Sequence, residues 1–211
     1  LTSFILIEMK VYETNEIKNI ALIGSKGSGK TTLAEAMLYE CGVIKRRGTI
    51  DAGNTVCDYF PVEKEYGYSV FSTVCYAEFL NKKLNVIDCP GGDDFVGNAI
   101  TALNVTDTGV LLIDAQYGVE VGTQNISRTT EKAKKPVIFA LNQLDGEKVD
   151  FDNVVTQMKE VFGPKVVLVQ YPINPGTGFN AMIDVLLMKM YSWGPDGGVP
   201  TVEDIPAEEL D

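Results

Sequence analysis

The chain of 211 residues is 45% hydrophobic, enough apolar content for one fully packed domain. Its net charge of −11 argues against unaided binding to nucleic acid, which needs clustered Lys and Arg to neutralise phosphates. Histidine is absent and the four cysteines, Cys41, Cys57, Cys75 and Cys89, form no C-x-x-C pair, which argues against a zinc site and for reduced, cytosolic thiols.

Residues 1–16 read as an N-terminal extension. Leu1 to Ile7 is apolar but too short, and without the basic flank, for a signal peptide. Met9 stands where a natural start would, so residues 1–8 read as an addition. No apolar run approaches the ~20 residues of a membrane span, so no membrane partner is expected and the cytoplasm is the expected location.

Ile20-Ala21-Leu22-Ile23 is a short apolar run, predicted as a strand over 19–23. Gly24-Ser25-Lys26-Gly27-Ser28-Gly29-Lys30-Thr31 follows and fits G-x-x-x-x-G-K-[ST]. Thr32 continues into a pattern with helical apolar spacing, predicted as a helix over 30–41. A glycine-rich turn between strand and helix is where a phosphate-binding loop must sit. The glycines let backbone N–H groups face phosphate oxygens at a helix N-terminus. Lys30 is expected to reach the β- and γ-phosphates, and Thr31 to hold Mg²⁺.

Residues 42–68 show no sustained period, and a connection this long in a compact domain is usually functional. The stretch is expected to take its order from a γ-phosphate. Strands are predicted over 69–79 and 84–88, separated by the polar Leu80-Asn81-Lys82-Lys83, which lets them pair antiparallel. Further strands are expected at 109–114, 137–141 and 166–171, and helices at 94–104, 122–134 and 151–162. This alternation predicts an α/β fold with a mostly parallel six-stranded sheet and helices on both faces. Nucleotide is expected at the C-terminal strand ends. After 171 the rhythm breaks at Pro172, Pro175, Gly176 and Gly178. Phe179 to Trp193 is apolar, and Pro195-Asp196-Gly197-Gly198 reads as a hairpin turn.

Three further segments carry chemistry. Asp88-Cys89-Pro90-Gly91 ends the strand Leu84-Asn85-Val86-Ile87. An Asp there can hold Mg²⁺ through water, and the Gly91 N–H can meet a γ-phosphate. Asn142-Gln143-Leu144-Asp145 fits N-x-x-D. The Asp145 carboxylate can accept two hydrogen bonds from guanine N1 and N2, which adenine lacks. Ser69 can complete the Mg²⁺ shell. Taken singly, these are an ordinary turn, a helix cap and a surface serine; their order and spacing decide.

The sequence resembles translational GTPases, specifically elongation factor G, over about residues 17–210. Asp51 to Asp58 with Glu63-Lys64-Glu65-Tyr66-Gly67-Tyr68-Ser69-Val70 resembles the first switch with its E-R-G-I-T-I. Asp88 to Phe95 resembles D-T-P-G-H-V-D-F, and Asp114-Ala115-Gln116-Tyr117-Gly118-Val119 resembles D-A-V-D-G-V. Residues 172–211 resemble the start of the subdomain that elongation factor G inserts in its GTPase domain. That disfavours elongation factor Tu, initiation factors and ribosomal protection proteins. The resemblance implies a P-loop NTPase fold, GTP and GDP with Mg²⁺ as ligands, and the ribosome as partner. It also implies a role in translocation, a GTPase domain over 17–171, and an N-terminal piece of a longer protein.

The departures from that pattern are specific. The family's catalytic His falls on Gly92, its switch Thr on Ser69 and its switch Arg on Tyr66. Its phosphate-loop Asp falls on Gly27 and its guanine-site Lys on Gln143. Ser for Thr keeps a magnesium ligand, and Gln143 gives up packing over the base while Asp145 stays. Gly92 removes the side chain that positions water, so impaired hydrolysis is expected. Three alternatives stay open: a non-hydrolysing guanine-nucleotide switch, a ribosomal protection-type factor, and an unrelated phosphate-loop ATPase or kinase, against which Asp145 argues.

Overall fold

The structure is a computed structural model that describes residues 10–195 and 197–209. Expectations on residues 1–9, on Asp196 and on residues 210–211 lie outside the described residues.

The element order alternates as the sequence pattern predicts. β1 (Ile17–Gly24) leads into α1 (Lys30–Glu40), and α2 (Pro61–Tyr66) precedes β2 (Thr73–Phe79) and β3 (Lys82–Asp88). Then come α3 (Val96–Val105), β4 (Thr108–Asp114), α4 (Val121–Ala133), β5 (Val137–Asn142) and α5 (Phe151–Phe162). The first sheet has the order β2-β3-β1-β4-β5. β1 pairs parallel with β3 and β4, β4 pairs parallel with β5, and β2 alone runs antiparallel, to β3. Leu80 and Asn81 both take positive φ, 46° and 61°, the primed geometry that suits a two-residue hairpin.

Central β1 is buried on both faces, as a strand between crossover helices must be. Its alternate residues separate two cores. Ala21 and Ile23 pack with Leu111, Ala99, Ala102 and Leu103 under α3 and α4. Leu22 packs with Ala34 of α1, Cys57, Val86 and Leu112 on the other side. Ile113 of β4 meets Val154 and Met158 of α5. β3 and β4 leave β1 on opposite sides, so the loop after β1 opens at a crevice between crossovers, the place such sheets bind ligands.

One expectation is corrected. The main sheet has five strands, and the segment 166–171 adds none to it. Within that region β6 (Gln170–Pro172) pairs with β7 (Ala181–Asp184) in a separate antiparallel sheet. β8 (Lys189–Gly194) and β9 (Gly197–Glu203) complete it. Val166 is apolar because it packs beside Phe139 and Phe162, not because it joins a ladder. The irregular stretch 42–68 carries backbone anchors of its own. Buried Glu35 accepts the N–H groups of Gly48 and Val56. Buried Glu63 accepts those of Phe60, Val70 and Phe71 at 3.2, 3.0 and 3.0 Å. Each carboxylate is satisfied by backbone donors, which offsets the cost of its burial.

Candidate functional site

The site begins where β1 ends. Gly24 takes φ 145°, and a Cβ on it would stand 2.5 Å from the Leu112 carbonyl oxygen of β4, so only glycine lets the chain cross the neighbouring strand here. The loop then turns through Gly29, left-handed at φ 93°, into Lys30, the first residue of α1. Backbone N–H groups at this helix start face a cavity of about 370 Å³, the arrangement that receives phosphate.

Lys30 is buried beneath the loop. Its Nζ donates to the carbonyls of Gly24 and Ser25 at 3.1 and 2.7 Å. Burial pulls its pKa down to about 8, against the opposing pull of Asp88. Thr31 Oγ1 donates to Asp88 Oδ2 at 2.7 Å and lies 3.1 Å from Ser69 Oγ. The three residues expected to hold a metal are therefore brought together from α1, the end of β3 and the segment before β2.

Asp88 is 1% exposed, and its Oδ1 has no partner. Burial pushes its pKa up to about 6, partly offset by Thr31 and Lys30. Asp58 is 5% exposed, with neither carboxylate oxygen in hydrogen-bond geometry. Burial pushes it up too, although Ser69 and Lys30 favour its charged form. Unpartnered carboxylate oxygens in a dry cluster call for a cation. Two hydroxyls and two carboxylates suit Mg²⁺, a hard ion that draws its other ligands from phosphates and water. Among the described residues no group of three or more His, Cys, Asp or Glu is placed to hold a metal.

At the far end of the cavity, Asn142 Nδ2 donates to the Ser28 carbonyl and Gln143 Nε2 to the Gly27 carbonyl, each at 2.9 Å. The N-x-x-D turn is thus tied to the phosphate loop, with Gln143 doing so from φ 60°. Asp145 lines the cavity with Lys26, Gly27, Gly29, Lys30, Thr31 and Thr32, as do Ser69, Gly91, Gly92, Asn142 and Gln143. A Cβ on Gly91 would stand 2.7 Å from the Ser25 carbonyl oxygen and 2.8 Å from the Lys26 backbone N, so glycine is required at that turn.

Other expected residues shape the site without lining it. The Ser25 hydroxyl is 2.9 Å from that of Thr123. Cys89 is buried in the core below α3, and burial raises its thiol to about 11. Gly24, Ser28, Asp88 and Pro90 are buried and are not among the residues that line the cavity. Leu144 turns away to a second, apolar cavity beside β5, and its carbonyl accepts the Gly176 N–H at 2.6 Å. Sequence reasoning missed Asp58 as a site residue; the available signal was a lone charge between Cys57 and the aromatics Tyr59 and Phe60. It also missed Tyr68 and Ile50, which line the cavity from the irregular stretch.

Comparison with known proteins agrees with this geometry. The elongation factor Tu GTP binding domain family matches residues 15–201. Elongation factor G-like protein of Thermotoga maritima is 37% identical over 90% of this chain and 27% of its own length. Elongation factor G of Petrotoga mobilis is 30% identical over 96% of this chain and 29% of its own. The crystal structure of a Thermus thermophilus protein superposes with a TM-score of 0.85 at 32% identity. That match covers 92% of this chain and 29% of the other. The chain spans under a third of the length of the curated relatives it matches. With this fold, this phosphate loop and a family match over most of its residues, the chain belongs to the elongation factor Tu GTP-binding domain family.

Proposed function

We propose that this chain is the GTP-binding domain of an elongation factor G-like translational GTPase that acts on the ribosome in translocation. Its resemblance to elongation factor G supports this reading. The observation that carries it is the joining of Asp88 to Thr31, which with Ser69 lines the same cavity as Asp145. Lys30 and the loop N–H groups bind the phosphates. Thr31, Ser69, Asp88 and Asp58 would hold Mg²⁺, which neutralises phosphate charge when bound. Asn142 and Gln143 fix the base-reading turn, and the Asp145 carboxylate accepts from guanine.

Residues 17–171 form the nucleotide-binding unit. The antiparallel sheet of β6 to β9, whose first strand begins at Gln170 just inside that boundary, is read as the start of an inserted subdomain. No helix among the described residues is long and apolar enough to cross a membrane, and a cytoplasmic place of action follows from the ribosomal role. The acidic chain binds no nucleic acid by itself.

Hydrolysis is slow in this reading, because Gly92 presents no side chain at the water position and no histidine exists elsewhere. A non-hydrolysing switch is the second reading, and Gly92 is the observation that favours it. Calorimetry with GDP and ADP in Mg²⁺ tests the base assignment. A strong guanine preference is expected, and equal affinities would reject it.

A further inference from the structure

We propose that the Lys26 side chain is a γ-phosphate ligand that distinguishes a nucleoside triphosphate from a diphosphate, held for that role by the ring of Tyr68. The proposal rests on the guanine-nucleotide reading above. The G-x-x-x-x-G-K-[ST] pattern leaves this loop position unspecified, so the assignment comes from where the side chain lies.

Lys26 Nζ sits 3.7 Å from the centroid of the Tyr68 ring. Lys26 belongs to the phosphate loop and Tyr68 to the stretch before β2, so the contact bridges the two walls of the cavity. Both line it together with Lys30, Thr31, Ser69 and Gly91. Two neighbours fix which end this is. A Cβ on Gly91 would stand 2.8 Å from the Lys26 backbone N, so Lys26 faces the turn after Asp88. Tyr68 directly precedes Ser69, whose Oγ is 3.1 Å from Thr31 Oγ1. The bridge therefore stands beside the Thr31, Ser69 and Asp88 cluster.

Charge supports the assignment. The loop carries two cations and no carboxylate. Lys30 is buried and engaged with the Gly24 and Ser25 carbonyls. Lys26 is exposed, and among the described residues the ion pairs are Lys10 with Glu78 and Lys189 with Asp204. Its ammonium is thus held by a ring face alone, a weak hold at an exposed site. A phosphate oxygen offers a charge-assisted hydrogen bond, which is stronger. The ring limits where the flexible lysine can go and keeps its charge over the mouth, so little ordering is needed when a third phosphate arrives.

The test compares affinities for GDP and for the β,γ-imido analogue of GTP, in Mg²⁺, for wild type, K26M, K26R, Y68F and Y68L. K26M is expected to lower the ratio of analogue to GDP affinity about tenfold, and K26R to restore most of it. Y68F retains a ring and should keep the wild-type ratio, while Y68L should lower it severalfold. A ratio unchanged in K26M overturns the proposal even though both nucleotides bind. If wild type binds neither nucleotide, the guanine-nucleotide reading itself fails, and this assignment with it. A parallel loss of both affinities in K26M means a general phosphate contact and also overturns the γ-specific role.

Discussion

Gly92→His tests whether one missing side chain separates nucleotide binding from turnover. Gly92 has φ −75° and ψ 143°, extended backbone that any residue adopts, so the substitution imposes no left-handed strain. Its new Cβ would meet Phe95 Cδ2 at 3.1 Å and Cε2 at 3.5 Å. Phe95 is half-buried, so its ring can yield by the few tenths of an ångström needed. Off-rotamer crowding of this kind costs roughly 0.5–1.5 kcal/mol, and removing a glycine from the unfolded chain returns about 0.4–1 kcal/mol. Stability should therefore change little, and any rate change can be read as chemistry. A positioned acid–base group is worth ~10²–10⁴-fold; allowing for imperfect placement beside Phe95, a gain of about 10²-fold is expected, or ~2.7 kcal/mol of barrier. The chain contains no histidine, so a new inflection near pH ~6.5, with the rate rising as the imidazole loses its proton, would belong to the introduced residue. The assay is single-turnover cleavage of γ-labelled GTP, with and without saturating ribosomes, for wild type and G92H. A fast wild-type rate that G92H leaves unchanged would show that another group positions the water.

Three further outcomes follow from the site. Asp145→Asn should shift preference from guanine toward xanthine nucleotides, because an amide reverses the hydrogen-bonding pattern offered to the base edge; competition between GDP and XDP reads this directly. The raised pKa of Asp88, about 6, means that its folded form holds a proton which the unfolded form has already lost between about pH 4 and 6. Without divalent cation, this group's contribution to stability therefore falls as pH rises through that window. Because Mg²⁺ needs the carboxylate, Mg²⁺ affinity of the GDP complex should be flat above about pH 6 and fall toward tenfold per unit below it; Mg²⁺ titrations at several pH values check the slope. Glu63→Ala should destabilise the chain by about 3 kcal/mol, since three backbone N–H groups lose one shared acceptor, and urea unfolding measures it.

The parts legible in the sequence were those in which one contiguous run carries both structure and chemistry. The strand–loop–helix from Ile20 to Tyr39 could be read because a phosphate loop needs all three pieces in order. The reversed β2 was foreshadowed by Leu80-Asn81-Lys82-Lys83, whose first two residues supply the positive φ of the turn. Long-range pairing was not legible. Glu35 looks like a polar helix residue until Gly48 and Val56 bring their N–H groups to it. The apolar run around Val166 looks like a strand, although Val166 packs against α5 and β5 without a ladder. Similarly, N-x-x-D treats four consecutive residues as one site, yet Leu144 turns to a different cavity from Asp145.

The distribution of unsatisfied charge within the site has a thermodynamic consequence. Lys30, Asp58 and Asp88 are all buried, each displaced by burial toward its neutral form, and three carboxylate oxygens lack partners. Each is a standing cost to the fold alone. On the proposed reading, Mg²⁺ and phosphate would supply the missing cation and anion at the same place, so binding would relieve a cost that folding has already assembled. Ligand that binds only the folded form adds RT ln(1 + [L]/Kd), or ~2.7 kcal/mol at 100 Kd. On the proposed reading, binding draws on groups that are all present, whereas turnover would depend on Gly92, where a side chain is absent. That reading assigns occupancy and hydrolysis to different residues, so a substitution at Gly92 should alter the second while leaving the first to Lys30, Thr31 and Asp88.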